Sequence, residues 1–345
     1  MKNAQLTADR LTAREVNNLA KLLTDYYNQA QKEIIGKLEA IYGNHLTTKN
    51  PQDYYKTMIQ RDRLNNLLKE VQQTYLIYSK QAGRLTEQIS SLSMSNTYYR
   101  QQYVLTWYAP IAIQKPLSFS ILDRRLIELS VTGTQDAWKQ ISAALGKQYE
   151  KIQNYIPQYG TLSNLIQAKD ADALIKIQRA ITQGFIQGDT LRKLSKDIQG
   201  VFETDKFKAD RIARTEASRT ANLGHDASRQ DAINQGLNIQ KMWIATLDGR
   251  TRSSHARLDG VKKDQDEDFE IDGDTAPFPG QFSDVANNVN CRCTTVDIID
   301  GVDPAMRRGR NPATGENEVF EFKTFDKWAE ENGLAKNKYG ELYKK

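Results

Sequence analysis

The sequence predicts a mainly α-helical protein with a small α+β module toward its C-terminal end. Two long runs in the first hundred residues place apolar residues three and four positions apart, as on one face of a helix. The segments 243–247 and 289–296 are instead short, apolar and rich in β-branched residues, which is typical of strands. We therefore expect a long N-terminal helical hairpin, a helical middle and a compact module containing cysteine and histidine.

Changes in composition define four predicted regions. Residues 1–110 are expected to form the hairpin arm, 111–235 a helical middle domain, and 236–300 the small α+β module. Residues 301–345 are expected to be a linker and a C-terminal appendage, because too few residues follow the basic, Pro/Gly-rich segment 303–312 to build a separate core. A chain of 345 residues suits two or three domains.

Charge and composition exclude several classes of protein. A net charge of +5 is too small to require a nucleic-acid partner, although it permits one. The chain has no apolar run of about 18 residues and no apolar signal core at its N-terminus, so we expect neither a membrane span nor a secretory signal. Its two cysteines lie one residue apart, which predicts no disulfide framework and a reducing compartment.

The arm is predicted to contain two helices packed against each other. The first begins at a capping box formed by Thr12 and Glu15 and ends near Gly43. The second begins at Pro51 and carries apolar residues at alternating intervals of four and three as far as Leu92, a seam of the coiled-coil type. Such an arm either docks on a partner or packs only within the chain, and both alternatives stay open.

Between the arm and the module, the chain is predicted to form shorter helices. Pro110 and Pro116 should end the arm, because proline lacks the backbone donor and clashes with the preceding helical turn. Further helices are expected at 119–129, from Thr134 onward, and on either side of Gly188.

The last predicted helix of the middle region, 206–234, carries many charged residues. With the helix before Gly200 it resembles a helix-turn-helix, whose second helix would place arginines in a DNA groove. Its basic excess is only two charges, so a solvated helix with surface salt bridges is the favoured interpretation. Arg214 and Glu216 face different ways, and one of them is expected to turn inward toward the module. His225 is expected at the surface.

The most distinctive chemistry lies between Trp243 and Cys293. This stretch contains one of the three histidines and both cysteines of the chain. Its second predicted strand, 289–296, would turn Cys291 and Cys293 toward one face and Arg292 toward the other, because side chains alternate along a strand.

The two thiols and the imidazole of His255 would supply three ligands of a metal site, for which zinc is the candidate ion. Asp248, which ends the first predicted strand at a turn, is a candidate fourth ligand. The alternative is a metal-free pocket in which Cys291 and Cys293 are core residues and His255 is hydrogen-bonded. No other cofactor is expected.

Four blocks of sequence occur in a specific order across this region. They are IARTE at 212–216, KMWIATLD at 241–248, RTRSSHARLDG at 250–260 and NCRC at 290–293. Their order resembles that of the phage Mu F-like head-morphogenesis family, the minor head proteins of tailed phages, over roughly 165–300.

The resemblance also bears on individual residues. His255 stands where other members carry a cysteine, which favours a ligand role for it. Asn288 and Val289 stand where members often carry His-Pro, so one candidate ligand of the family is missing here. Four residues within the blocks are expected to have structural rather than ligand roles: Arg214, Glu216, Trp243 and Arg252.

The resemblance implies a structural minor head protein of a tailed phage that acts in capsid assembly at the portal and contacts packaged DNA. The implied partners are the portal protein, the scaffold or major capsid protein, and DNA, without a membrane. The implied location is the capsid interior of the virion, after assembly in the host cytoplasm.

Two other functions remain as alternatives. The first is a metal-dependent hydrolase or nuclease that uses His255, Cys291 and Cys293, with a metal-bound water as nucleophile. No further acidic or basic group is spaced to act as general acid and base, and no phosphate-binding glycine loop occurs, so we expect no enzyme. The second is a nucleic-acid-binding module, which the small and evenly spread charge disfavours.

Overall fold

Long helices make up most of the described residues before 235, and small antiparallel sheets lie among the described residues after it. The computed structural model of the protein describes residues 4–46, 61–118, 121–122, 124–132, 162–187, 189–336 and 342–344. The long helices are α1 Ala4–Leu46, α2 Arg61–Ala112, α4 Leu162–Gln187 and α5 Leu191–Asn234, and the shorter α3 spans Arg124–Thr132. The predicted mainly α-helical fold with a small α+β module is therefore confirmed.

The described residues group into two compact units. One contains the described residues of 1–16, 90–161 and 214–345, and the other contains the described residues of 17–89 and 162–213. No helix among the described residues is both long and apolar enough to cross a membrane.

The apolar stripes predicted for the arm are buried along most of their length. The buried members are Leu23, Ala30, Ile34 and Leu38 of α1 and Val71, Tyr75, Ala82, Leu85 and Ile89 of α2. Leu92, the last predicted member, is 47% exposed. The stripes therefore mark the helix faces that bury apolar area, although the last position of the second stripe faces outward.

The boundaries of these helices differ from the prediction. Helix α1 begins before the expected capping box at Thr12, and α2 continues through Pro110 to Ala112. A proline in the last turn removes only one backbone hydrogen bond, and the burial of Leu105 and Ala109 in an apolar cluster holds that turn in place. The predicted helix starts at Pro51 and Thr134 lie outside the described residues.

Helix α5 is a single helix of 44 residues, so the two helices predicted to flank Gly200 are one, and the helix-turn-helix alternative is excluded. Gly200 lies inside it, and no atom would crowd a Cβ at that position, so this glycine neither makes a turn nor meets a neighbour. The buried residues Leu194, Ile198 and Phe202 form one continuous apolar face across the glycine. That face keeps the backbone helical, because a break would expose it.

The second half of α5 also differs from the predicted solvated helix. Arg219 and Arg229 are completely buried, and so is nearly all of Glu216 and Asp226. Each arginine pairs with the acid three residues before it, at 3.0 Å. These charges therefore lie in the interior, where pairing and hydrogen bonds replace the lost water.

The C-terminal module is built on a three-stranded antiparallel sheet with the order β2-β1-β5. Strand β1 spans Ile239–Ile244, β2 spans Lys262–Lys263 and β5 spans Thr294–Ile299. The remaining described strands form three antiparallel pairs: β3 Phe269–Ile271 with β4 Asp274–Ala276, β6 Met306–Arg310 with β7 Asn317–Glu321, and β8 Leu334–Lys336 with β9 Leu342–Lys344. Short helices lie between the strands: α6 Ser253–Arg257, α7 Val285–Asn288 and α8 Phe325–Glu331.

Both predicted strands of the module are displaced along the chain. The first ends at Ile244, and the second begins at Thr294 rather than at 289. Asn290 has a left-handed backbone with φ of 55°, and the Cys291 N–H donates to Asn288 O, so this stretch turns before it pairs. The two cysteines therefore lie on an irregular segment, which we call the ligand loop (residues 290–293).

The segment 303–312, predicted to be a basic linker, contains strand β6. Arg307 in this strand is buried rather than solvated. Side chains alternate along a strand, so neighbouring arginines of this segment face opposite sides. Arg307 faces inward, where it pairs with the buried carboxylate of Asp259.

Candidate metal centre

His255 lies on α6, within an apolar cluster that the module builds around it. The chain enters α6 from Arg252, which has an extended backbone with φ of −61° and ψ of 144°. The imidazole ring meets Trp243 edge-on, with ring centroids 5.8 Å apart, and Phe282 lies 6.4 Å away. These aromatic walls fix the ring orientation and keep water from it.

The structure brings His255, Cys291 and Cys293 together, as the sequence predicts. His255 Nδ1 lies 3.5 Å from the Sγ atom of each cysteine. The three potential ligand atoms are all within 4.8 Å of one another, and all three residues are buried. Among the residues that the structure describes, this is the one group of three or more histidine, cysteine or acidic side chains placed closely enough to hold a metal ion.

The two nitrogen–sulfur distances fit a tetrahedral metal site. Zinc–nitrogen and zinc–sulfur bonds of roughly 2.0 and 2.3 Å place a nitrogen and a sulfur ligand about 3.5 Å apart at the tetrahedral angle. The observed 3.5 Å between His255 Nδ1 and each sulfur is close to that value. Thiolate and imidazole are also the donors that zinc and other thiophilic ions prefer. The cluster could therefore hold a metal ion.

The two thiols do not titrate alike. The hydrogen bond from Cys293 holds the pKa of Cys291 well below its ordinary value, assisted by the nearby His255. The same contact with Cys291, together with burial, raises the pKa of Cys293 well above its ordinary value. A single negative charge is thus readily accommodated on the pair, and a bound cation is the natural means of accommodating a second.

The expectation that Asp248 is the fourth ligand is not supported by its position. Both carboxylate oxygens of Asp248 accept hydrogen bonds from Arg292, one of them at 2.9 Å, and Arg250 lies 3.5 Å away. Asp248 is thus held by the arginine between the two cysteines, and it does not belong to the group of potential ligand atoms that lie within 4.8 Å of one another. Burial would raise the pKa of Asp248, but its bonds to Arg292 lower it.

The four residues assigned structural roles occupy different environments. Trp243 is completely buried against His255 and Phe269. Glu216 turns inward, as expected for one of the pair, but its partner is Arg219 of the same helix. Arg214 is exposed. Exposed Arg252 donates to the backbone carbonyl of Val289, next to the ligand loop.

Sequence reasoning missed the residues that bind α5 to the sheet. Arg229 Nε donates to Asp297 Oδ1 at 2.5 Å, and one terminal nitrogen donates to Thr295 Oγ1 at 2.8 Å. His225, expected at the surface, is buried with Nε2 3.5 Å from Asp297. The signal available in the sequence was the spacing of three between Asp226 and Arg229, which suits pairing on a helix equally well at the surface or inside.

Comparison with known proteins supports the resemblance. A family model described as Phage Mu protein F like protein matches residues 175–296, which include the second half of α5, His255 and both cysteines. No solved structure matches the chain.

Three similar proteins give a wider context. The chain is 25% identical over 321 residues to the minor head protein GP7 of Bacillus phage SPP1, covering 93% of this chain and 94% of that protein. It is 28% identical over 274 residues to an NAD(+)–arginine ADP-ribosyltransferase, EFV, of Enterococcus faecalis, covering 79% of this chain. The third is an uncharacterized protein of Haemophilus influenzae, 26% identical over 168 residues.

The lengths of these matches differ. The chain spans half of the length of the Enterococcus faecalis protein and a third of the Haemophilus influenzae protein, but nearly all of the phage protein. Residues 175–296 therefore match the Phage Mu protein F like family, in a chain that is similar along almost its whole length to a phage minor head protein.

Proposed function

We propose that the protein is a structural minor head protein of a tailed phage that acts in capsid assembly at the portal. The observation that carries this proposal is the alignment with the phage minor head protein, which covers both chains almost completely. The long helices and the small module with its buried Cys/His cluster suit a protein that binds other proteins rather than one that turns over a substrate.

The name of the Enterococcus faecalis relative does not extend to this chain in the same way. Half of that protein has no counterpart here, so its named activity has no established place in the shared part. Within the described part of the chain, Asp248, the carboxylate expected to complete the site, is engaged by Arg292. An assembly role is therefore better supported than a hydrolase or a transferase.

The test is co-expression of the full chain with its cognate portal protein, followed by affinity capture and size-exclusion chromatography. We expect the chain to co-elute with the portal ring and to show no nuclease activity on plasmid DNA. Failure to bind the portal, the scaffold and the major capsid protein would overturn the proposal. Contact with packaged DNA is tested in parallel by a band-shift titration, in which binding weakens steeply with salt.

We also propose that the metal held by His255, Cys291 and Cys293 is zinc, in a structural role. Such an ion would connect α6 to the ligand loop and supply folding free energy to a small module. Purified protein is expected to contain one zinc ion per chain by elemental analysis. Loss of that zinc in His255→Ala and in Cys293→Ser, but not in His45→Ala, supports the site, and equal metal content in all four proteins contradicts it.

A further inference from the structure

We propose that metal binding at the His255/Cys291/Cys293 cluster and the docking of α5 on the module are thermodynamically coupled, with Thr215 and Asn222 of α5 as the positioning residues. The inference rests on the proposed metal. Neither residue contacts a ligand atom. Both instead hold the backbone of the ligand loop, so α5 acts on the metal through the geometry of its ligands.

Thr215 holds the start of the ligand loop. Its hydroxyl oxygen accepts a hydrogen bond from the backbone N–H of Asn290 at 3.1 Å. Asn290 is the residue with φ of 55°, a left-handed conformation that L-residues rarely adopt. The bond from α5 therefore stabilises the turn that directs Cys291 toward His255.

Asn222 holds the end of the loop. Its Nδ2 atom lies 3.1 Å from Cys293 O, 3.2 Å from Pro279 O and 3.1 Å from Ser218 O of its own helix. Three surrounding carbonyl oxygens identify this atom as the amide nitrogen, since only a donor is satisfied there. One buried side chain of α5 thus fixes the backbone of a metal ligand and the segment that leads to Phe282, which packs near the His255 ring.

The other side of the loop is held by the module itself. Thr246 Oγ1 donates to Arg292 O at 2.8 Å, and Arg292 binds Asp248. The ligand loop is therefore clamped between the module and α5. Without the contacts from α5, the ligand loop would keep only its hydrogen bonds within the module, such as those to Thr246 and Asp248.

The surface where α5 meets the module leaves little freedom for adjustment. A Cβ at Gly280 would lie 3.1 Å from the Cα of Arg219, so the backbone of α5 is in close contact with the backbone of the module at Gly280. A metal that orders the loop lowers the entropy cost of making the contacts with α5. By linkage, those contacts must strengthen metal binding by the same factor.

The first test measures zinc affinity by competition with a chromophoric chelator. Asn222→Ala and Thr215→Val are each expected to weaken zinc binding by about 10–100-fold, the range for residues that orient metal ligands. Asn234→Ala is the matched control, because Asn234 lies on the same helix and its exposed side chain accepts a hydrogen bond from Gln230 rather than holding the ligand loop. Its zinc affinity should equal that of the wild type.

The second test uses the unmodified full chain. Removal of zinc with a chelator should increase backbone amide exchange in residues 215–229 of α5 and in the ligand loop. The first turns of the same helix, residues 191–205, should be unaffected. This readout remains decisive if Asn222→Ala does not fold.

The outcomes separate the two proposals. If the wild type binds no zinc, the metal proposal is wrong and the coupling fails with it. If the wild type binds zinc but both variants bind it equally well and exchange in 215–229 does not change, the coupling is wrong while the metal proposal stands.

Discussion

Arg307 of β6 binds Asp259 through both of its terminal nitrogens, each 2.6 Å from a carboxylate oxygen. Both side chains are buried. Asp259 also accepts the backbone N–H of Ala245, at 2.7 Å, and that of Phe325, at 2.6 Å. One carboxylate thus joins the end of β1, the β6–β7 hairpin and the start of α8. The segment expected to be a linker is consequently part of the module.

We predict that Arg307→Leu lowers the free energy of unfolding by about 3–5 kcal/mol, because it leaves a buried carboxylate without its cation. Urea unfolding followed by circular dichroism measures the change. Arg310→Leu, at an exposed position of the same strand, should change stability by less than about 0.5 kcal/mol. Equal effects of the two substitutions would show that the buried pair is not important.

A second prediction concerns acid. Burial alone would raise the pKa of Asp297, but the Arg229 guanidinium and the His225 imidazole hold it well below its usual range. The unfolded chain therefore binds this proton first, and the stabilisation is present above about pH 4 and is lost as pH falls toward the folded pKa. Asp297→Asn should be less stable than the wild type at pH 7, and the difference should shrink between about pH 4 and pH 2.

Urea midpoints at a series of pH values test this prediction. Asp300→Asn is the control, because Asp300 is exposed and three residues away on the same chain segment. Its curve should run parallel to that of the wild type. A gap between wild type and Asp297→Asn that stays constant down to pH 2 would contradict the assignment.

Two glycines of α5 should respond oppositely to alanine. A Cβ on Gly224 would come within 2.2 Å of the backbone oxygen of Met94, which cannot move away easily, whereas one on Gly200 would meet nothing within 4 Å. Gly224→Ala should therefore destabilise the protein by about 3 kcal/mol or more. Gly200→Ala should stabilise it by about 0.5–1 kcal/mol, because alanine loses less backbone entropy. Thermal unfolding of the two variants measures both effects, and a Gly224→Ala variant as stable as the wild type would exclude the close approach.

Lys241 should destabilise the module at neutral pH. Burial lowers its pKa to about 8, and its ammonium donates to Gln265 O at 3.1 Å. Because the folded pKa lies below the unfolded value of about 10.4, stability rises with pH between these two values. Lys241→Met should therefore be more stable than the wild type at pH 7, by roughly 1–2 kcal/mol, and the advantage should vanish near pH 10.

The matched control is Lys262→Met at an exposed position of the neighbouring strand. Its stability relative to the wild type should not change over the same pH range. If Lys241→Met is less stable than the wild type at pH 7, the ammonium contributes more through its hydrogen bond than its burial costs.

The helical part of the fold was predictable because its signal is local and repeated. Apolar residues at intervals of three and four fix which face of α1 and α2 is buried, whatever the partner of that face is. The errors there concern ends and interruptions. Gly200 and Pro110 carry strong local signals for a break, yet the apolar faces that continue past them outweigh those signals.

The metal cluster was predictable in its members but not in its backbone. Cys-x-Cys places two sulfurs on one side of any extended chain, so Cys291 and Cys293 could be paired with His255 without knowing the sheet. The turn at Asn290 and the hydrogen bond from Asn222 to Cys293 O could not be predicted. That bond joins residues 71 positions apart, and such a contact produces no repeating pattern in the sequence.

The sequence by itself determined the class of fold, the buried faces of the long helices and the three residues that form the cluster, since each follows from spacing along one segment. Only the tertiary structure decided which charges are interior. The segments that contain Arg219, Arg229 and Arg307 have a charged composition typical of a solvated surface. Burial becomes favourable for these arginines only where the fold supplies acids and carbonyl groups to replace water.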